Sequence, residues 1–127
     1  MKIFILTIAL TFTGLHSALA DNHEETKAVF RHVVCFKFKK EATAEQITAI
    51  EKSFAELPSK IDAIKGYEWG PNVGDTAKAK GFTHCFILTF DDKAGLEIYT
   101  PHPDHQAFVK QVKPLLDDIF IVDYTAQ

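Results

Sequence analysis

Two segments of this chain alternate so regularly that they leave little freedom in the choice of fold. Arg31 to Lys39 and Phe82 to Phe90 put their larger residues at even positions: His32, Val34, Phe36 and Phe38 in the first, Phe82, His84, Phe86, Leu88 and Phe90 in the second. A period of two belongs to a β-strand, whose successive side chains point to opposite sides of a sheet. The other faces carry Val33, Cys35 and Lys37, and Thr83, Cys85, Ile87 and Thr89. Each strand therefore has a drier face that other elements must cover.

Those elements can be read off the spacing. Thr43-Ala44-Glu45-Gln46 has the form of a capping box, and Ile47, Ile50, Phe54 and Leu57 follow at intervals of three and four, which predicts an amphipathic helix ending at Pro58. Lys65-Gly66 turns the chain into a short strand at Tyr67, Glu68 and Trp69, broken by Gly70-Pro71-Asn72, and Asp75 to Gly81 reads as a loop. A short helix is expected from Asp92 to Tyr99 and another from Pro103 to Asp117, kinked at Pro114, before a last strand from Ile119 to Tyr124. The order is that of an α+β ferredoxin-like fold: a four-stranded antiparallel sheet, its first and third strands central, with helices on one face. Covering only one face leaves an aromatic-rich sheet in need of a partner, and a second copy of the chain, a homodimer, is expected.

The ends and the charge narrow the class of protein. Lys2, the apolar run Ile3 to Phe12 and the small residues of Ala18-Leu19-Ala20 form a secretory signal peptide over residues 1–20. A flexible tail over 21–29 and a single domain over 30–127 are expected to follow, in a secreted or periplasmic protein without a membrane anchor. Cleavage after Ala20 would expose Asp21-Asn22-His23, an amino-terminal arrangement able to wrap copper(II) or nickel(II). The formal charge of -3, without any basic block, argues against nucleic acid and anionic membranes as partners.

Chemistry concentrates in Tyr99-Thr100-Pro101-His102-Pro103-Asp104-His105. Pro103 suits the first position of a helix, where its missing amide hydrogen costs nothing. His102 then lies just outside the helix and His105 in its first turn. Unpaired amides there disfavour an imidazolium and favour a neutral, basic His105, while Asp104 pulls the other way. Metal binding through His32, His84, His102 and His105 is an alternative, but His32 and His84 belong toward opposite ends of antiparallel strands. His102 and His105 would need a third ligand from elsewhere, so no metal site is expected. The same histidines are also able to serve the fold by bonding backbone or Asp123.

Taken together, His32 to Lys39, Gly81 to His84, the His-Pro-x-His core of 102–105 and Phe120 to Thr125 resemble the stress-responsive α/β barrel domain family. The resemblance spans nearly all of the chain after the signal peptide. It implies a dimeric α/β barrel in which two sheets pack bare face to bare face. It also implies kinship with plant stress-associated proteins and with a cyclase that closes a linear polyketide by an intramolecular aldol reaction without cofactor or metal. In that comparison His105 matches the catalytic base and Tyr99 the substrate-orienting tyrosine, while His32, His84 and His102 match pocket histidines. The drier strand positions Val34, Phe36, Phe86 and Leu88 would complete a site for a small apolar or phenolic ligand. A dimeric small-molecule-binding or stress-associated module is the function expected, and a cofactor-independent cyclase or lyase with His105 as base and Tyr99 as hydrogen-bond donor is the alternative.

Cys35 and Cys85 share the other sheet face, on strands expected to be neighbours. Two buried thiols and a cross-strand disulfide both remain open.

Overall fold

The computed structural model describes residues 27–127. The expected signal peptide, the stretch 21–26 of the tail and the Asp21-Asn22-His23 terminus lie outside the described residues. Within the remainder of that tail, the Val29 carbonyl accepts a 2.9 Å bond from the amide of Ala126.

Nine residues of alternating burial form β1 (Phe30–Phe38). The capping box forms as read: Thr43 Oγ1 accepts from the Gln46 amide at 3.2 Å, and the Gln46 side chain accepts from the Thr43 amide at 2.9 Å. It opens α1 (Ala44–Lys60), which buries Ile50, Phe54 and Leu57. The helix runs through Pro58 rather than ending there, and Ile61 donates to the Leu57 carbonyl at 2.9 Å to close it. Pro58 removes one bond in the last turn, while Leu57 and Ile61 on either side are buried and hold the turn in place.

Strand β2 (Gly66–Pro71) follows, then β3 (His84–Phe90). β3 starts two residues later than its alternation suggested, and the Thr83 amide instead bonds the Phe36 carbonyl out of regular register. Asp92 caps α2 (Lys93–Tyr99), and Pro103 opens α3 (Pro103–Val112). The expected helix to Asp117 stops short. Pro114 lacks the amide to continue it, and Lys113–Leu115 tightens into a 3-10 turn. Leu116 already belongs to β4 (Leu116–Thr125).

The sheet order is β2-β3-β1-β4, with β1 antiparallel to both β3 and β4. The central pairing of first and third strands is thus as expected, but the barrel is not. Two strands separate β2 from β4, so each presents an unpaired edge and the sheet stays open. Barrel closure would require those edges to bond, and about eight strands enclose a filled interior.

Helices cover only the face that carries His32, Val34, Phe36, Phe86, Leu88 and Phe90, all nearly withdrawn from solvent. Phe54 lies at the centre of this layer, stacked on Phe86 at 4.4 Å and tilted against Phe108 at 4.6 Å. On edge strand β4, Ile119 and Ile121 on the helix side and Phe120, Val122 and Tyr124 on the opposite side all remain exposed. No helix among the described residues is long and apolar enough to cross a membrane.

One glycine controls how closely α2 approaches the sheet. A Cβ at Gly95 would come within 2.9 Å of the Phe90 Cβ and ring, and Phe90 is fully buried and unable to yield. Gly95→Ala is therefore expected to destabilise the domain by about 1–3 kcal/mol from overpacking, despite alanine's better helix propensity of about 0.5–1 kcal/mol. Urea unfolding of the two proteins measures the difference.

Candidate active site

The corner between α2 and α3 brings Tyr99 and His105 together. Tyr99 ends α2 and is 1% exposed. Thr100 to His102 then turn the chain, and His105 in the first turn of α3 reaches back so that the two rings lie 4.0 Å apart, centre to centre. Pro103 starts the helix as read, and His102 caps it by accepting the Asp104 amide at 3.2 Å.

The orientation of His105 follows from its backbone partner. Its Nδ1 is 2.8 Å from the Thr100 carbonyl oxygen, which can only accept, so Nδ1 carries the hydrogen. In the neutral ring this leaves the lone pair on Nε2. Burial lowers the His105 pKa below 6.5; the Thr100 bond opposes this, and His32 and His102 push it further down. The ring is thus poised as a neutral base near pH 7. Tyr99 stays a phenol, because burial above all, with Tyr67 nearby, raises its pKa far beyond the usual value.

His32 completes the group from β1. Its Nδ1 lies 2.5 Å from Asp123 Oδ1 on β4, so the carboxylate accepts the Nδ1 hydrogen and fixes the orientation of the ring. The His32 ring meets Tyr99 edge-on at 5.8 Å. Register creates this pair: His32 and Asp123 are direct partners across β1 and β4.

These three rings line one cavity of about 370 Å³, walled by Val34, Phe36, Phe54 and Phe108 and, on the β4 side, by Ile119 and Ile121. Of the residues singled out in the sequence, His32, Val34, Phe36, Tyr99 and His105 converge here. Phe86 and Leu88 lie fully buried beneath the helices and do not line it. His102 faces a different surface depression beside α2. His84 is engaged at the far end of β3: Nε2 bonds Glu51 of α1 at 2.9 Å, Nδ1 bonds Thr83 at 2.7 Å, and Trp69 stacks on the ring at 5.7 Å. Both its nitrogens are satisfied, so His84 ties helix to sheet.

The sequence reading missed the β4 wall and the Glu51 partner. Ile119, Ile121 and Asp123 do carry a period-two signal, matching Phe36, Val34 and His32 across the sheet. Glu51 has no comparable signal. Among the described residues no three His, Cys, Asp or Glu side chains gather as a metal site would require.

Residues 30–126 match the family model of the stress responsive A/B barrel domain. The chain is 33% identical over 101 residues to the stress-response A/B barrel domain-containing protein HS1 of Arabidopsis thaliana, covering 80% of this chain and 93% of that one. It is 32% identical over 95 residues to olivetolic acid cyclase of Cannabis sativa, covering 75% and 94%. Among solved structures it resembles hydroxynitrile lyase from Passiflora edulis with a TM-score of 0.74 at 25% identity, covering 80% and 95%. A dimeric ferredoxin-like protein of unknown function from Thermobifida fusca matches with a TM-score of 0.69 at 25% identity, covering 80% and 93%. On the family match and these identities, the chain belongs to the stress responsive A/B barrel domain family.

Proposed function

We propose that this protein is a cofactor-independent acid–base enzyme of the cyclase or lyase type, acting on a small carbonyl or cyanohydrin compound with an apolar arm. The observation that carries this is the fixed tautomer of His105: a neutral ring with its free nitrogen on Nε2, beside a buried phenol, over an apolar cavity. His105 Nε2 takes the acidic proton, from carbon next to a ketone or from the hydroxyl of a cyanohydrin. Tyr99 donates a hydrogen bond to the oxygen on which negative charge grows in the enolate case. The His32–Asp123 pair orients a second imidazole at the same cavity. Kinship with a cyclase and a lyase supports this reading, since one base and one donor serve both kinds of reaction.

A second copy of the chain is the proposed protein partner. The exposed apolar residues of β4 support it, as does the dimeric relative from Thermobifida fusca.

The test needs no native substrate. A series of phenyl alkyl ketones in deuterated water should exchange the hydrogens next to the carbonyl faster with the protein than in buffer, saturably, as followed by NMR. Saturable binding at Tyr99 and His105 without exchange would leave a binding module in place of an enzyme. Neither exchange nor binding, to these ketones or to mandelonitrile, would sink the proposal.

A further inference from the structure

The cavity beside His105 extends well past the reacting groups, and a lysine stands at its far end. From the α3 side it is lined by His105, Phe108, Val109, Val112 and the C-cap residue Lys113. Steps of three and one keep these side chains on one face of the helix. The opposite wall is the sheet, where His32, Val34 and Phe36 of β1 are joined by Ile121 and Ile119, the β4 partners of the last two. Helix and strand run the same way. At one end His32 meets Tyr99 and Tyr99 meets His105; at the other, the turn Lys113–Leu115 passes directly into Leu116, the β4 partner of Phe38, which also lines the cavity. The eight residues from His105 to Lys113 advance about 12 Å along a helix, and the four from His32 to Phe36 about 13 Å along a strand. Both walls therefore describe a channel rather than a round pocket.

Its chemistry changes along its length. His32, Tyr99, Thr100 and His105 make one end polar, and the middle is apolar. Lys113 is the one lysine or arginine on the wall among the described residues, and no aspartate or glutamate lines it. Lys37, Lys60 and Lys93 pair with carboxylates, whereas none pairs with Lys113 among the described residues. The lysine is exposed, so it keeps its charge while its methylene stem lies along the apolar rim. An anion brought there meets a cation against a wall of low polarity, where attraction exceeds that in open water. Two sheets packed bare face to bare face would cover the opposite side, with the free thiols Cys35 and Cys85 and with Phe120. Such packing leaves α3 and Lys113 on the outside.

We propose that this site takes a linear carbonyl compound ending in a carboxylate, the assignment of its reacting end resting on His105 as the base. The carbonyl lies between Tyr99 and His105, the methylene chain runs along α3 past Phe108 and Val112, and the carboxylate pairs with Lys113 Nζ. The lysine thus selects the substrate by its far end and takes no part in the proton transfer.

The experiment uses the full chain in deuterated water with saturated methyl ketones of graded length, each carrying a terminal carboxylate and each matched by its primary amide. NMR follows exchange of the hydrogens next to the ketone and the shift of the His105 ring signals, and both give half-saturating concentrations. For chains long enough to span the channel, the wild type should prefer acid over amide by about fivefold, as befits a partly exposed ion pair. Lys113→Gln should abolish that ratio and Lys113→Glu should invert it, each protein being its own reference through the amide. Short keto acids should show no preference. Exchange or binding without an acid preference in the wild type, or a preference that survives in Lys113→Gln, would overturn the carboxylate end while leaving His105 as the base. An acid preference without exchange would instead keep the ligand class and remove the acid–base chemistry. No saturable binding of any probe would overturn both.

Discussion

Replacing Phe54 with alanine is expected to cost about 3–5 kcal/mol, the largest stability loss of any single truncation considered for this domain. Phe54 is 1% exposed, and its ring meets four others: Phe86 at 4.4 Å, Phe108 at 4.6 Å, Tyr67 at 5.6 Å and Phe36 at 6.0 Å. It is the point where α1, α3 and three strands touch the same side chain. Removing the ring forfeits its own burial and leaves a void that neighbours anchored on three strands and a helix cannot fill. A domain of this size is stable by about 5–15 kcal/mol in total, so the urea midpoint of the variant should fall by at least about a fifth of the wild-type value. Phe54 also lines the cavity beneath His105, so any folded fraction should lose saturable ligand binding. Ile98→Ala supplies the contrast. Ile98 is 58% exposed on α2, and its truncation should change stability by no more than about 0.5 kcal/mol.

What was legible in the sequence is what local periodicity encodes. Alternation of Arg31 to Lys39 and Phe82 to Phe90 identified the faces, and the order of elements placed β1 beside β3. The capping box at Thr43 was readable because its two bonds join residues only three apart. Errors gathered where packing overrode a local rule. Pro58 does not end α1, because Leu57 and Ile61 on either side of it are buried, whereas Pro114 does end α3, because β4 begins at Leu116. Barrel closure was beyond the pattern altogether: alternation shows which face is dry, not whether two edge strands meet. The site divides along the same line. Tyr99 and His105 lie only six positions apart; Pro103 and helix geometry placed His105 in a first turn, and the family resemblance paired it with Tyr99. The pairing of His32 with Asp123 spans 91 positions and that of His84 with Glu51 spans 33. Each depends on register or on helix placement that no short segment carries. His84 consequently looked equivalent to His32 in the sequence, although one lines the cavity and the other braces α1.

The site reading stands or falls with His105. His105→Gln is expected to lower the rate of ketone hydrogen exchange, or of cyanohydrin cleavage, by about 10²–10⁴-fold while leaving the Tm within a few degrees of wild type. Glutamine keeps a polar group of similar reach near the Thr100 carbonyl but has no basic nitrogen, so fold and function are separated. Tyr99→Phe should fill the same buried space without the hydroxyl. If the phenol donates to the developing negative charge of the enolate, about 10²–10³-fold of the exchange rate is lost with it. The pH profile gives the independent readout. With its pKa lowered by burial, His105 should remain a free base to more acid pH than an ordinary imidazole, so the acid limb of the rate should fall with a midpoint below 6.5. Linkage sets the sign of the matching stability effect. Below the unfolded-state pKa near 6.5, the unfolded chain binds a proton that the folded chain resists. The stability contributed by neutral His105 is therefore present above that pH and is lost as pH falls through the window down to the folded value. His105→Gln should abolish this acid-side loss as well as the activity. A variant that kept full exchange activity, or a wild-type profile whose acid limb lay above 6.5, would remove His105 as the base and leave Tyr99 and His32 lining a cavity that binds without reacting.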